Sequence, residues 1–342
     1  MTRLRGWLTA AGAFGLGLLV LAVGLQLAGY EAGTALAALG RGAFGSWYAI
    51  TSVTLVRSVP LIIVGLGIAL AFRAGAFNIG AEGQLYAGAI AATWVGVHAG
   101  AAPPALALPA VLGLAAVAGA AWAVLPVVLR LRYGVTEVIS TLVLNFVAES
   151  LVSLMVLGPL QERGGIYPQS DSIAPGARLP VLPGTRLHAG IVLALVGALV
   201  LWYLFTRTMW GFRLRAAGAG PRAAQVSGRI DVGRTVAGAL LLSAAIAGVA
   251  GGVEVAGVSY ALYQNLSPGY GFTGIAVALL ADLRPLAVVA TGIAFGALEA
   301  GAGVMQRDAG VPAVAVYVVE AVVIIAALLA RARQRALIPG AV

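Results

Sequence analysis

Phe77–Gln84 reads FNIGAEGQ and joins two apolar runs, Ile50–Phe72 before it and Leu85–Val97 after it. Asn78, Glu82 and Gln84 sit here among Gly75, Gly80 and Gly83. Polar side chains at a glycine-punctuated junction are costly in hydrocarbon. They persist where backbone is buried in protein or lines a wet cavity. The stretch therefore reads as part of a path through a membrane. The alternative is a short turn at the membrane surface with its polar groups in water.

The rest of the chain supplies the membrane. Its 342 residues are 61% hydrophobic and 10% charged, with mean hydropathy +0.99. Soluble chains are ~45–50% apolar and ~25% charged. Successive long apolar runs without alternation mean transmembrane helices and exclude a β-barrel. There is no cysteine, hence no disulfide framework or thiolate metal site. The net charge of +9 comes entirely from arginine, since the chain has no lysine. In this context the excess is a topology signal rather than a nucleic-acid footprint.

The expected fold is an all-α polytopic membrane protein, one transmembrane domain over 1–342. About ten transmembrane helices are expected, one of them short or broken. The spans are 8–28, 50–72, 77–98, 106–129, 135–157, 187–205, 236–258, 270–283, 286–303 and 312–330. Tyr30–Tyr48 reads as a polar-leaning connection, 158–186 as an external loop and 206–234 as a basic cytoplasmic loop. Pro60 predicts a kink in the second span. With both termini cytoplasmic, most arginines fall inside and only Arg41, Arg163, Arg178, Arg186 and Arg307 outside, as the positive-inside rule expects. GIALA (Gly67–Ala71) is faintly echoed by GIAVA (Gly274–Ala278).

No catalytic constellation is present. A phosphate-binding loop needs lysine, and there is no H-E-x-x-H. His98 and His188 read as interfacial residues. Arg57, Glu149, Glu299 and Glu320 fall within spans, where charged groups pair or line a path. Arg57 is expected to pair with Glu299 or Glu320. A proton-coupled carrier would instead use an acid such as Glu149 as a relay. In the basic loop, Pro221 suits a first helical turn and Arg222–Gly228 can continue it. That short helix is either solvated or bound to anionic headgroups, or it docks a cytoplasmic partner.

Four blocks occur in order: FRAGAFNIGAEGQ (Phe72–Gln84), GVTEVISTLVLNF (Gly134–Phe146), LRAAGAGPRAAQVSGR (Leu214–Arg229) and LSPGYGFTGIAVALL (Leu266–Leu280). Together they make the chain resemble the permease subunits of ABC importers for nucleosides and simple sugars, related to the ribose and branched-chain amino-acid permeases. The likeness runs from about Ile50 to Ala330. It implies half of a membrane dimer in a bacterial or archaeal inner membrane, paired with a second, shorter permease. It also implies ATPase subunits that bind ATP-Mg, no cofactor in this chain, and an extracytoplasmic binding protein.

By the same resemblance Ala219–Arg229 is the coupling helix for the ATPase, involving Ala219, Gly220, Pro221, Arg222, Ala223, Ala224, Gln225, Gly228 and Arg229. The related EAA-type pattern appears only in part, as RAAQVSG without its leading Glu. A nucleoside needs hydrogen-bond partners for its ribose and a flat surface for its base. Asn78, Glu82, Gln84, Asn145 and Glu254 are candidates for the first, and Phe77, Phe146 and Phe272 for the second. The competing readings are a self-sufficient ion- or proton-coupled carrier and a membrane subunit with no path of its own.

Overall fold

The computed structural model describes residues 2–336. The side chains of 2–10, 227, 327, 328 and 330–336 lie outside the description, and with them Arg3, Arg5, Arg331, Arg333 and Arg335, on which the orientation partly rests. The helices are α1 Thr2–Leu27, α2 Ala32–Phe44, α3 Leu55–Arg73, α4 Ala81–His98, α5 Pro104–Trp122, α6 Val124–Tyr133 and α7 Glu137–Val156. They continue as α8 Gly190–Arg207, α9 Met209–Ala219, α10 Pro221–Gly228, α11 Val232–Glu254, α12 Tyr270–Leu280, α13 Pro285–Ala309 and α14 Val316–Ala336. Among the described residues there is no β-strand, only the isolated bridges Gln169–Tyr263 and Val181–His188.

Among the described residues, six helical stretches are long and apolar enough to cross a membrane: Ala49–Arg73, Pro104–Tyr133, Glu137–Val156, Gly190–Arg207, Val232–Ser259 and Pro285–Ala309. A π-helical turn, Ala49–Thr54, leads into α3, and another, Val255–Ser259, closes α11. α3 continues through Pro60. It is the innermost helix, with every residue from Ser58 to Ala71 buried.

α4, α5 and α11 form a trunk with almost no side chain between them. A Cβ on Gly88 would run into the backbone of Gly248. One on Gly248 would run into the Ala115 carbonyl and Gly119. Small residues allow this approach where apolar side chains gain nothing by leaving lipid. α7 and α8 sit at the rim and expose apolar side chains such as Ile139, Phe146, Leu154, Val192 and Leu199.

Three boundaries differ from the sequence reading. Tyr30–Tyr48 is not a plain connection, because it holds α2. The buried face of α2 (Ala35, Ala38, Leu39, Gly42) packs on α13 where Gly42 meets Gly301 and Val304. The expected span 106–129 is α5 and α6 with a break at Ala123, where Pro126 cannot donate to the carbonyl of Trp122. The helix expected from Phe77 starts only at Ala81, and 74–80 is irregular. The echo segments pack on each other, with Gly274 against Val64 and Ile68.

Residues 158–186 form a strap over the end of α11. Ser170 N–H donates to Leu262 O, Ile173 N–H to Tyr260 O and Leu179 N–H to Ala256 O, each at 2.8 Å. The Arg178 guanidinium lies 4.8 Å over the Tyr260 ring. In the same strap Gln169 donates to Glu162 Oε2 at 2.7 Å, which holds that carboxyl below the usual carboxylate range. His188, just before α8, is fully buried. Its Nδ1 accepts from Gly190 N–H at 3.2 Å.

Candidate functional site

Gly75, with φ +80°, ends the turn after α3, and the chain then runs irregularly to Ala81. Irregular backbone inside a bundle must find its hydrogen bonds among side chains. Phe77 N–H donates to Glu137 Oε1 at 3.0 Å. Glu137 also holds Arg130 in an ion pair.

Asn78 is fully buried and forms a reciprocal amide pair with Gln84, at 2.8 and 2.9 Å. It also donates to Ser243 Oγ on α11 at 2.9 Å and accepts from Gly80 N–H at 3.1 Å. Asn145, on α7, accepts from Gly83 N–H at 2.8 Å and donates to Ile79 O at 2.9 Å. Asn78, Gln84 and Asn145 thus close the N-terminal turn of α4 by side-chain hydrogen bonds.

Glu82 reaches the other interrupted segment. Its Oε2 accepts from Gly271 N–H at 2.5 Å, in the first turn of α12. That turn is preceded by the non-helical run 260–269, whose Gly269 has φ +101°. Ser267 Oγ accepts from Tyr270 N–H at 3.0 Å, and Tyr86 donates to Ser267 O at 3.3 Å. The first turns of α4 and α12 therefore meet. A Cβ on Gly271 would strike the Glu82 backbone, so only glycine permits the approach. A carboxylate at a helix N-terminus gains from both the unpaired N–H groups and the dipole.

The aromatic candidates are placed differently. Phe77, Phe146 and Phe272 are all exposed on the isolated chain. Phe77 lies edge-on to Phe72, with ring centroids 5.2 Å apart.

Arg57, Glu254, Glu299 and Glu320 lie within electrostatic reach of one another around Glu299, whereas Glu149 is exposed on α7. Arg57 on α3 pairs with Glu299 on α13 at 3.6 Å, as expected from the sequence. Glu254, on α11, is within electrostatic reach of Arg57, but its buried Oε2 has no hydrogen-bond partner. The expected pairing does not extend to Glu320, whose Oε2 accepts instead from Thr273 Oγ1 at 3.1 Å. Sequence reasoning passed over Thr273 and Tyr317, which border Glu320. Their only signal was lying one turn from other polar positions. No group of residues suited to a metal ion occurs among the described residues.

At the opposite end, Thr208 caps α9 by accepting from Gly211 N–H at 3.1 Å. A Cβ on Gly218 would strike the carbonyl of Arg73, so α9 rests on the end of α3. Ala219 closes α9 and Gly220 is the joint. Pro221–Gly228 forms α10, and Arg229, with φ +47°, ends it. Pro221, Arg222, Ala223, Gln225, Gly228 and Arg229 are exposed, Ala224 is buried, and Val226 projects 82% exposed.

The sequence pattern of the family described as "Branched-chain amino acid transport system / permease component" matches residues 50–328. The chain is 37% identical over 314 residues to the guanosine ABC transporter permease protein NupP of Bacillus subtilis, covering 91% of this chain and 89% of that one. It is 39% identical over 294 residues to the glucose ABC transporter permease protein TsgB13 of Haloferax volcanii, covering 82% and 76%. It is 32% identical over 283 residues to the nucleoside ABC transporter permease protein NupB of Lactococcus lactis, covering 79% and 77%. No solved structure matches.

Proposed function

The chain belongs to the branched-chain amino acid transport system / permease component family of ABC transporter permeases, and from that premise we propose that it forms half of the translocation path of a nucleoside importer. Ten crossings with both termini cytoplasmic accommodate the arginine asymmetry, with α12 as the short crossing. A bacterial or archaeal inner membrane is the setting. The second half is a different, shorter permease. In support, the chain also resembles NupQ, a second guanosine permease protein of the organism that carries NupP. An extracytoplasmic binding protein delivers the solute.

The observation that carries a path, rather than a scaffold, is the meeting of the two broken segments at Glu82 and Gly271. Discontinuous helices whose N-terminal turns converge are how membrane transporters build solute sites. Asn78, Gln84 and Asn145 hold that junction in shape. Glu82 and Glu254 face the solute with hydrogen-bond acceptors, and Phe77, Phe146 and Phe272 offer flat surfaces. Those rings are exposed here and are covered when the second permease closes the path.

The chain supplies no nucleotide site, so the fuel is ATP-Mg held by separate ATPase subunits. Their contact is α10 with its flanks, Ala219–Arg229. Exposed Val226 between Arg222 and Arg229 gives an apolar knob with charged edges, which suits a groove on a soluble partner. α9 passes movement of α10 to α3, because Gly218 rests on the Arg73 carbonyl. Closure of the ATPase pair would then switch the spans between outward- and inward-open states.

The test is uptake by the complete four-component transporter in vesicles, with ATP inside and purine nucleosides, pyrimidine nucleosides, ribose and glucose in competition. ATP-dependent nucleoside uptake supports the reading, and accumulation without ATP by this chain alone sinks it. Arg222→Glu combined with Arg229→Glu should abolish co-purification of the ATPase. Survival of that complex would remove α10 from the docking role.

A further inference from the structure

A cavity of about 330 Å³ opens between the first turn of α12 and α14. Its walls include Gly269, Phe272, Thr273, Tyr317 and Glu320. That volume lies at the small end of the ~300–1,000 Å³ range of small-molecule sites. Glu320 is only 7% exposed. Thr273 holds one of its carboxylate oxygens, while the other, Oε1, is buried without a hydrogen-bond partner. Among the described residues no cation lies within salt-bridge distance of it. A buried acceptor in this state is costly unless something donates to it. Ionised, it can only accept, so its complement is an O–H or N–H.

Beside it stand two aromatic rings, Phe272 at 43% and Tyr317 at 49% exposure. The Tyr317 hydroxyl donates to the carbonyl of Pro268, another wall of the cavity, at 3.4 Å, so its proton is engaged and the ring offers surface. The α12 N-terminus is no anion site. Gly269 and Tyr270 N–H are taken by Ser267, Gly271 N–H by Glu82, and Phe272 and Thr273 N–H by the Gly269 carbonyl. A phosphorylated solute would meet Glu320 with no donor to offset it.

We propose that this cavity is this chain's own solute subsite, taking an uncharged nucleoside with its base against Phe272 and Tyr317 and its ribose hydroxyls donating to Glu320. The proposal rests on the nucleoside-importer reading above and adds to it Glu320, Thr273 and Tyr317.

The experiment uses the complete transporter in vesicles and compares ATP-driven uptake of guanosine, 2′,3′-dideoxyguanosine, guanosine 5′-phosphate and glucose. The same delivering protein serves every arm, so a changed ratio reports this chain. Wild type should favour guanosine over the dideoxy analogue by about 10- to 100-fold, the scale of a hydrogen bond to a charged group. Glu320→Gln should cut that preference to within about threefold, because the amide is a weaker acceptor. Phe272→Leu should weaken guanosine half-saturation about tenfold without touching the hydroxyl preference.

Thr273→Val, which lets Glu320 swing free, should also reduce the preference. It serves as the second variant if Glu320→Gln fails to assemble with the ATPase. An unchanged guanosine-to-dideoxy ratio in whichever variant assembles overturns the site while leaving the importer reading intact. Uptake of the 5′-phosphate at the guanosine rate, or of glucose alone, overturns the assigned solute. Absence of any ATP-driven guanosine uptake by wild type removes both the nucleoside reading and this subsite.

Discussion

Replacing Asn145 by alanine tests whether the junction between α3 and α4 is held as described. Two backbone groups depend on that one side chain: the buried Gly83 N–H, which donates to its Oδ1, and the partly buried Ile79 C=O, which accepts from its Nδ2. Alanine leaves both without a partner, at about 1–3 kcal/mol each. Allowing for relaxation toward the low end of each, the loss is about 3 kcal/mol. Large domains shift by roughly 2 °C per kcal/mol, so the apparent Tm should drop by about 6 °C.

The assay is thermal unfolding of the detergent-purified complex at one fixed scan rate, because unfolding here is expected to be irreversible. Ser150→Ala is the control. It also removes a side-chain bond on α7, to Phe146 O at 2.8 Å, but at an exposed position. Guanosine uptake should fall with Tm in Asn145→Ala and not in Ser150→Ala. A Tm for Asn145→Ala within about 1 °C of the control would refute the claim that this side chain closes the junction, since buried unpaired groups cannot be that cheap.

Other outcomes follow from the same geometry. Gly248→Val should prevent assembly or halve its yield, because a Cβ there meets the Ala115 carbonyl, whereas Gly113→Ala, which has open space, should be neutral or stabilise by about 0.5–1 kcal/mol. Arg57→Leu leaves Glu299 as an unpaired buried carboxylate, and double replacement with Glu299→Leu should recover most of the lost Tm. Because Arg57 is 43% exposed, its single-variant cost should stay near 1–2 kcal/mol, below that of a fully buried pair. The depressed Glu162 carboxyl contributes order above the ordinary carboxylate range and loses it as pH falls through its lowered value. The protection of the Tyr167 amide, which donates to Glu162 at 3.0 Å, measured against the intrinsic exchange rate at each pH, should therefore be higher at neutral pH than near pH 3.

What the sequence made legible was local. The apolar runs announced helices, Pro221 announced the start of α10, and a charge within the apolar run of α3 demanded an acid, which Glu299 provides. What it hid was long-range. Asn78 meets Ser243 across 165 positions and Gly83 meets Asn145 across 62, and no spacing rule links such residues. α2 was missed because Gly33, Thr34, Gly40 and Arg41 dilute its hydropathy, although its buried alanines recur at helical spacing. Glu320 was assigned to Arg57 because both carry charge in apolar surroundings, while its actual neighbour, Thr273, is set by how α12 and α14 adjoin.

The glycine contacts among α4, α5 and α11 have a mechanical meaning. Interlocked side chains let neighbouring helices slip, since each rotamer change absorbs part of the travel. Where Gly88, Gly119 and Gly248 bring peptide planes together, there is no such cushion. A push delivered at one end of α11 reaches α4 undiminished, as through a gear train without backlash.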